Sequence, residues 1–376
     1  MAPLVEPLGN YMNIKADLDQ FPTRLHEDWR YFRMKKEDLK NYLEQGHLAL
    51  SSSLETLTGS AYRQLYSASM KEVEALFRHA AFQFQDDTFS LLVKAHATPG
   101  IMVLQGTPEV PEIVLATEKK REVHPADIRI LLNPGINAEL TLKIEASAAN
   151  SLISSEIRVY LSENSSLKLN LASSASEGSF AIIRTRAQLA ENAKLLFSNL
   201  QTPDGSVRSE SHFNLTGPGA DLKLYQAVIA DGSAINDTVL KAIHSAPETT
   251  SDMHTITYAG GKSRSALNGL IHVKPGSENV GAYQQARNYI LSPKAFSVGY
   301  PQLEIENQNV SCSHGTTMHS FDENQLFYLN SRGISPKEAK QMILRGNLDY
   351  FFRRMNEPQK KQFLKMAYTI IGKLSI

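Results

Sequence analysis

Cysteine is nearly missing from this chain, with one residue, Cys312, among 376. An intrachain disulfide is therefore excluded, as is any CxxC metal or redox site built within one chain. Surplus charge of either sign is absent, because 39 Lys and Arg balance 39 Asp and Glu. A sequence-independent nucleic-acid binder needs excess cations to displace phosphate counterions, so that class is set aside. No run approaches the ~18 consecutive apolar residues of a membrane-spanning helix. The first ten residues carry Glu6 and two prolines, with neither a basic n-region nor an apolar h-region. No secretory signal is read there, and the expected address is the cytoplasm.

Templates for familiar chemistry are missing too. Ala259-Gly260-Gly261-Lys262-Ser263 resembles the end of a phosphate-binding loop, but the required first glycine falls at Ile256. Gly217-Pro218-Gly219 lacks the third glycine of a dinucleotide fingerprint, which would stand at Leu222. His26-Glu27 is followed by Arg30 where a zincin helix needs histidine, and GxSxG does not occur.

What the chain does contain is a change of texture near residue 88. Residues 1–87 read as a helical region, in which Tyr62, Leu65, Tyr66, Met70, Val73, Leu76, Phe77 and Ala80 form one apolar stripe at helical spacing. From Thr88 onward short alternating runs are punctuated by Gly, Pro, Asn and Ser. Within them Asn137-Ala-Glu-Leu-Thr-Leu recurs as Asn164-Ser-Ser-Leu-Lys-Leu, Asn192-Ala-Lys-Leu-Leu-Phe and Gly219-Ala-Asp-Leu-Lys-Leu, at offsets of 27, 28 and 27 residues. Such a period belongs to a solenoid, whose coils bury their inward face only by stacking. Asn or Gly at each repeat suits a corner in the left-handed conformation. The expected fold is mainly β: a stacked right-handed parallel β-helix over residues 88–318, flanked by helical N-terminal and C-terminal regions. A β-sandwich with coincidental spacing is the competing architecture.

The last region, 319–376, returns to helix. Ser335-Pro336-Lys337-Glu338 reads as an N-cap, a first-turn proline and a capping box, continued by Ala339, Met342, Ile343, Gly346 and Tyr350. A second helix begins near Pro358 and carries Phe363, Leu364, Ala367, Tyr368, Ile371 and Leu374. From Arg332 to Lys373 there are ten Lys and Arg against three Asp and Glu. Such an excess is either a solvated face or a docking surface for an acidic partner.

One constellation has the residue types for metal chemistry, Val310-Ser311-Cys312-Ser313-His314-Gly315. In a strand, residues i and i+2 face the same way, so Cys312 and His314 project together. Thiolate and imidazole suit iron, zinc and iron-sulfur species. Two ligands cannot hold a cluster, so a functional pair implies an interface site whose missing ligands come from another chain or from the cluster's own sulfides. The bland alternative makes Cys312 a small core residue and His314 a satisfied edge histidine. His244, His254, His272 and His319 lie in the same region, but no spacing selects one of them. Glu304 and Glu306 share a strand face and read as solvated.

These residues carry a family resemblance. Pro301-Gln-Leu-Glu-Ile-Glu, Val310-Ser-Cys-Ser-His-Gly-Thr-Thr and Leu326-Phe-Tyr-Leu-Asn-Ser-Arg-Gly-Ile with Glu338-Ala339 resemble the C-terminal signature of the SufB/SufD family of iron-sulfur cluster assembly proteins. Asn288-Tyr-Ile-Leu-Ser-Pro-Lys-Ala resembles a further segment of that family. Phe21-Pro22 and Glu27-Asp-Trp-Arg-Tyr31 resemble the SufD branch. SufB members are longer and carry a sulfur-accepting cysteine inside the β-helix, whereas residues 88–311 here contain none.

The resemblance implies a non-enzymatic scaffold subunit that pairs with a SufB-like protein and binds a SufC-like ATPase. It implies a transient iron-sulfur cluster shared at the interface, with none tightly bound to the isolated chain. It assigns His314 to that cluster-assembly site, Cys312 as the weaker candidate beside it, and Ser335, Pro336, Ala339, Met342 and Ile343 to ATPase docking. Alternatives are a homodimeric iron-handling scaffold and a β-helix enzyme acting on a sugar or acyl substrate. The hexapeptide period of β-helix acyltransferases is absent.

Overall fold

A computed structural model describes residues 87–376 apart from 98, 105–111, 355, 356 and 375, together with positions 34–37, 40, 47, 48 and 77. The helix expected around residues 62–81 and the segment 21–31 fall outside the described residues, Phe77 excepted. Phe77 is helical and buried against Val103 and Leu131.

The strands, in chain order, are β1 (His47–Leu48), β2 (Pro99–Leu104), β3 (Glu112–Ala116), β4 (Glu122–Leu132), β5 (Asn137–Ala146), β6 (Leu152–Leu161), β7 (Ser166–Ala175) and β8 (Phe180–Leu189). They continue as β9 (Lys194–Gln201), β10 (Ser206–Leu215), β11 (Asp221–Ala230), β12 (Ile235–His244), β13 (Thr250–Ala259), β14 (Arg264–Val273), β15 (Val280–Ile290), β16 (Phe296–Ile305) and β17 (Val310–His319). Even-numbered strands from β4 to β16 form sheet A, with β1 and β2 both pairing β4. Odd-numbered strands from β3 to β17 form sheet B. Every pairing is parallel, and each coil contributes one strand to each sheet. The fold is therefore a parallel β-solenoid, and the β-sandwich is ruled out.

The corners explain the repeat. Gly135, Asn164, Asn192, Gly219, Glu248 and Asn279 all have positive φ, between 52° and 71°. Each donates its backbone N–H to a carbonyl of the next coil, as in Asn164 N to Glu191 O at 2.9 Å and Asn279 N to Asn309 O at 2.8 Å. Glycine and asparagine adopt this conformation at least cost, while Glu248 adopts it against its preference. The first repeat was misaligned by two residues: the corner is Gly135, and Asn137 instead starts β5 and pairs with Ser166. The register offsets along this side are then 29, 28 and 27 residues.

A second difference lies at the N-terminal boundary. Thr88–His96, read as the opening of the β region, is a helix, α1. Asp87 caps it by accepting from the N–H groups of Phe89 and Ser90, both at 3.0 Å. α1 packs on the outer face of β4 and β6.

That outer face of sheet A carries charge. Asp127, Glu156, Arg184 and Glu210 occupy one row across β4, β6, β8 and β10, and Arg129, Arg158, Arg186 and His212 the next. Arg158 bonds Asp127 and, at 2.6 Å, Glu156; Arg184 bonds Asp87; Arg186 reaches Glu210 at 2.6 Å and Arg208 reaches Asp237 at 2.5 Å. Ser90 on α1 donates to Glu156 at 2.6 Å. Arg208 and Glu156 are each only 1% exposed. Strong pairing is what allows such burial, since an unpaired buried charge would be ruinous.

The C-terminal helices are α2 (Glu323–Ser331), α3 (Pro336–Phe351) and α4 (Glu357–Ile371), and α3 and α4 cover part of the outer face of sheet B. Ser335 caps α3 in a full capping box with Glu338, as the motif predicted. Leu344, Leu348, Phe351, Phe363, Ala367 and Ile371 bury Tyr225, Ala227, Ile229, Ile256 and Tyr258 of the sheet. Tyr258 donates its hydroxyl to Leu344 O at 2.8 Å. The buried stripe of α3 is rotated from the expected one: Met342 and Tyr350 are half exposed, and Leu344 and Leu348 take the inward side. Both stripes have helical spacing, and packing on the sheet selects Leu344 and Leu348. Among the described residues no helix is long and apolar enough to cross a membrane.

Candidate functional site at the open end of the β-helix

The last coil ends in two edges. β16 pairs only with β14 and β17 only with β15, which leaves one side of each strand without a described neighbour. Interior residues of this coil consequently meet solvent: Leu303, Val310 and Cys312 still lean on the core, while Ile305 is 41% and Met318 58% exposed.

The pleat decides where the candidate ligands point. Val310 and Cys312 pack against the interior cluster, and alternation puts His314, Thr316 and Met318 on the same inner row. Ser311, Thr317 and His319 belong to the outer row. There Tyr283 and Ser311 hydroxyls lie 3.0 Å apart, and His319 stacks on Tyr289 at 4.8 Å. The expected pairing of Cys312 with His314 on one face is thus present, and that face is the mouth of the solenoid. His314 is exposed there, whereas Cys312 is partly buried. Burial pushes the Cys312 thiol up.

The other histidines do not join them. His244 is buried at the end of β12, with Thr249 Oγ1 2.7 Å from Nδ1 and Ser251 Oγ 2.9 Å from Nε2. Desolvation lowers its pKa to about 4. His254 stacks on Tyr225 at 5.5 Å under Phe351 and pairs with Asp252 at 2.8 Å. His272 receives both strand-end carboxylates, Glu306 at 2.7 Å and Glu304 at 3.9 Å, so these two do share a face, though away from the mouth. Among the described residues no group of three or more His, Cys, Asp or Glu is placed to hold a metal.

One residue at the mouth escaped the sequence reading. Gln284 of β15 is the register partner of His314, only 3% exposed, and both its amide atoms are without a partner among the described residues. Gly269 on the facing sheet makes room for it, since a Cβ there would lie 1.6 Å from Gln284 Nε2. Its signal was a polar residue interrupting an inward apolar row, one coil upstream of His314.

Below the mouth, the docking candidates divide. Ser335 and Pro336 are exposed, Met342 is half exposed and Ile343 partly buried, whereas Ala339 is fully buried beneath them. α2 adds Phe327, 75% exposed, and Tyr328, whose ring lies under Arg332 at 5.3 Å.

Comparison with known proteins identifies the family. The profile described as SUF system FeS cluster assembly, SufBD core domain, matches residues 115–347, which contain all but the edge of the coil stack and the start of α3. An iron-sulfur cluster assembly SufBD family protein of Mycobacterium tuberculosis is 25% identical over 203 residues, covering 53% of this chain and 23% of that protein. A SufBD family protein of Staphylococcus saprophyticus is 26% identical over 215 residues, 55% of this chain and 45% of its own length. The iron-sulfur cluster assembly protein SufB of Bacillus subtilis is 27% identical over 213 residues, 55% and 44% respectively. The matched region thus spans less than half the length of each of these relatives. With the profile covering well over half of its residues, the chain belongs to the SufBD core-domain family of iron-sulfur cluster assembly.

Proposed function

We propose that the chain is a SufD-like scaffold subunit of the SUF assembly complex, acting in the cytoplasm and catalysing no reaction alone. The open end of the β-helix pairs edge to edge with a SufB-like chain, and His314 donates an imidazole to the nascent cluster held between them. Cys312 is the weaker candidate ligand beside it. The cluster is cargo, assembled at the junction and passed on.

The observation that carries this reading is the position of His314. It stands on the inner row of a terminal strand, with too few ligands among the described residues to hold a metal alone. A strand edge with free N–H and C=O groups is a template for another chain. Those two facts call for the same thing, a facing chain that supplies both backbone partners and ligands. The C-terminal helices dock a SufC-like ATPase through Ser335, Pro336, Met342 and Ile343, with Ala339 packing behind them and Phe327 and Tyr328 alongside. The basic excess between Arg332 and Lys373 complements an acidic partner surface.

Co-expression with SufB-like and SufC-like proteins of the same organism, followed by mass and composition analysis, tests the assignment. A ternary complex is expected. In it His314→Ala should leave subunit composition and melting temperature unchanged while abolishing cluster formation followed by visible absorption. Undiminished cluster formation by the variant overturns the role of His314. A chain that ignores both partners and self-associates returns the reading to the homodimeric scaffold.

A further inference from the structure

The interior of the β-helix has two chemically different halves. Near the corner that holds Asn164 and Asn192, inward positions are Leu, Ile, Ala and Phe, with Phe197 and Phe213 meeting across the coil at 5.2 Å. Two and four residues further toward the opposite turn, the inward positions become polar. Asn199 and Gln201 stand on β9, across from Ser211 and Ser209 on β10. One coil earlier, Ser173 is in register with Gln201 and Thr185 with Ser211. One coil earlier again, Ser155 precedes Ile183 and Ser209 in its row.

All seven residues are buried to 3% exposure or less. Each still has an atom without a hydrogen-bond partner among the described residues: Ser155 Oγ, Ser173 Oγ, Thr185 Oγ1, Asn199 Oδ1, Gln201 Nε2, Ser209 Oγ and Ser211 Oγ. Folded proteins leave few buried polar atoms unpaired, and here seven fall in three successive coils. Side-chain size points the same way. In one inward row the sequence is Ile157, Thr185, Ser211, Leu240, so two small residues lie between two large ones. Toward the open end the layer is closed by a bonded lid. Asn199 donates to Gln226 at 3.0 Å, Gln226 to Thr238 at 3.2 Å and Ser265 to Asn236 at 3.2 Å, while Asn236 also bonds Gln201. No inward residue of β6 to β10 is charged.

We propose that these coils enclose a buried binding site for a small cluster of ordered water, bridging β7 to β10 through Ser173, Thr185, Asn199, Gln201, Ser209 and Ser211, with Ser155 set apart behind Ile183. The wall selects the ligand: neutral groups that offer both donors and acceptors match water and exclude ions, which a buried neutral wall cannot compensate. Each buried water makes about three hydrogen bonds, so the six contiguous unpaired atoms suit roughly two molecules. This site is independent of the assembly role of the open end.

A crystal structure of the full chain that places ordered water is the direct test. Density within hydrogen-bond distance of Gln201, Ser209 and Ser211 is expected. A collapsed layer, with those side chains bonded to one another and no density between them, overturns the proposal. Thr185→Val gives a second reading with opposite signs. In a hydrated chamber it removes a ligand to water and lowers the melting temperature. In a dry interior it removes an unpaired hydroxyl and raises the melting temperature.

Discussion

Part of the outer face of each sheet is buried, on sheet A by paired charges and on sheet B by apolar side chains. On sheet B, α3 and α4 lay Leu344, Leu348, Phe351 and Phe363 over Tyr225, Ile256 and Tyr258, and the contact needs little directional precision. On sheet A, Arg158, Arg184, Arg186 and Arg208 are held by carboxylates from β4, β6, β10, β12 and Asp87. Desolvation makes such pairs a weak source of net stability, but losing one partner exposes the full cost of the other. The ionic face therefore fixes register and the seat of α1, while the apolar face supplies most of the cohesion.

The comparison predicts different responses to damage. Arg184→Met leaves the Asp87 carboxylate buried without its guanidinium and should cost about 4 kcal/mol in chemical denaturation. Adding Asp87→Asn, which keeps the helix cap but removes the charge, should recover much of that loss. Phe351→Ala opens a cavity against Tyr225 and Phe352, with an expected loss of about 3 kcal/mol. No second substitution of charge should rescue it, and a rescue would show that the two faces are not distinct.

Acid probes both the ionic face and the interior. Burial opposes ionisation of Glu210, but Arg186 and its cationic neighbours hold the carboxyl far below the usual carboxylate range. Loss should begin at two imidazoles that burial keeps neutral, His212 on the ionic face with a pKa of about 3 and, in the interior, His244 with a pKa of about 4, both against 6.5 unfolded. The stabilising effect of His244 is complete above pH 6.5 and declines as pH falls from 6.5 through about 4, by at most ~3 kcal/mol. Urea midpoints measured across that range should fall, and His244→Gln should flatten the slope. The smallest effect concerns a corner: Glu248→Gly relieves a left-handed conformation at φ 59° and should raise stability by about 1 kcal/mol.

Much of this architecture was legible because a solenoid repeats its instructions. Asn164, Asn192 and Gly219 recur in phase, and the conformation each adopts is the one its residue type favours. The i, i+2 relation of Cys312 and His314 showed that they share a face. It could not show that the face was the interior, because a period of two is blind to the choice. Val310 and Leu303 settle that only once the facing sheet is present. The charged face was written in repeated dyads, Asp127 and Arg129, Glu156 and Arg158, Arg184 and Arg186, but alternating charges on a strand ordinarily mean solvent. Burial under α1 reverses the meaning. In α3, Met342 and Leu344 belong to two competing stripes, and the covering sheet, not the helix, chooses between them.

The unpaired last coil has a thermodynamic consequence. In a stack where each coil touches only its neighbours, stability is a sum of nearest-neighbour terms, and the terminal coil lacks one of them. β16 and β17 should fray first, and their amides should exchange hydrogen before those of β8 to β13. A chain that docks on that end supplies the missing neighbour, so its binding energy appears as slowed fraying spread inward over the adjacent coils. Amide exchange along β13, β15 and β17 would then act as a ruler of how tightly the end is occupied.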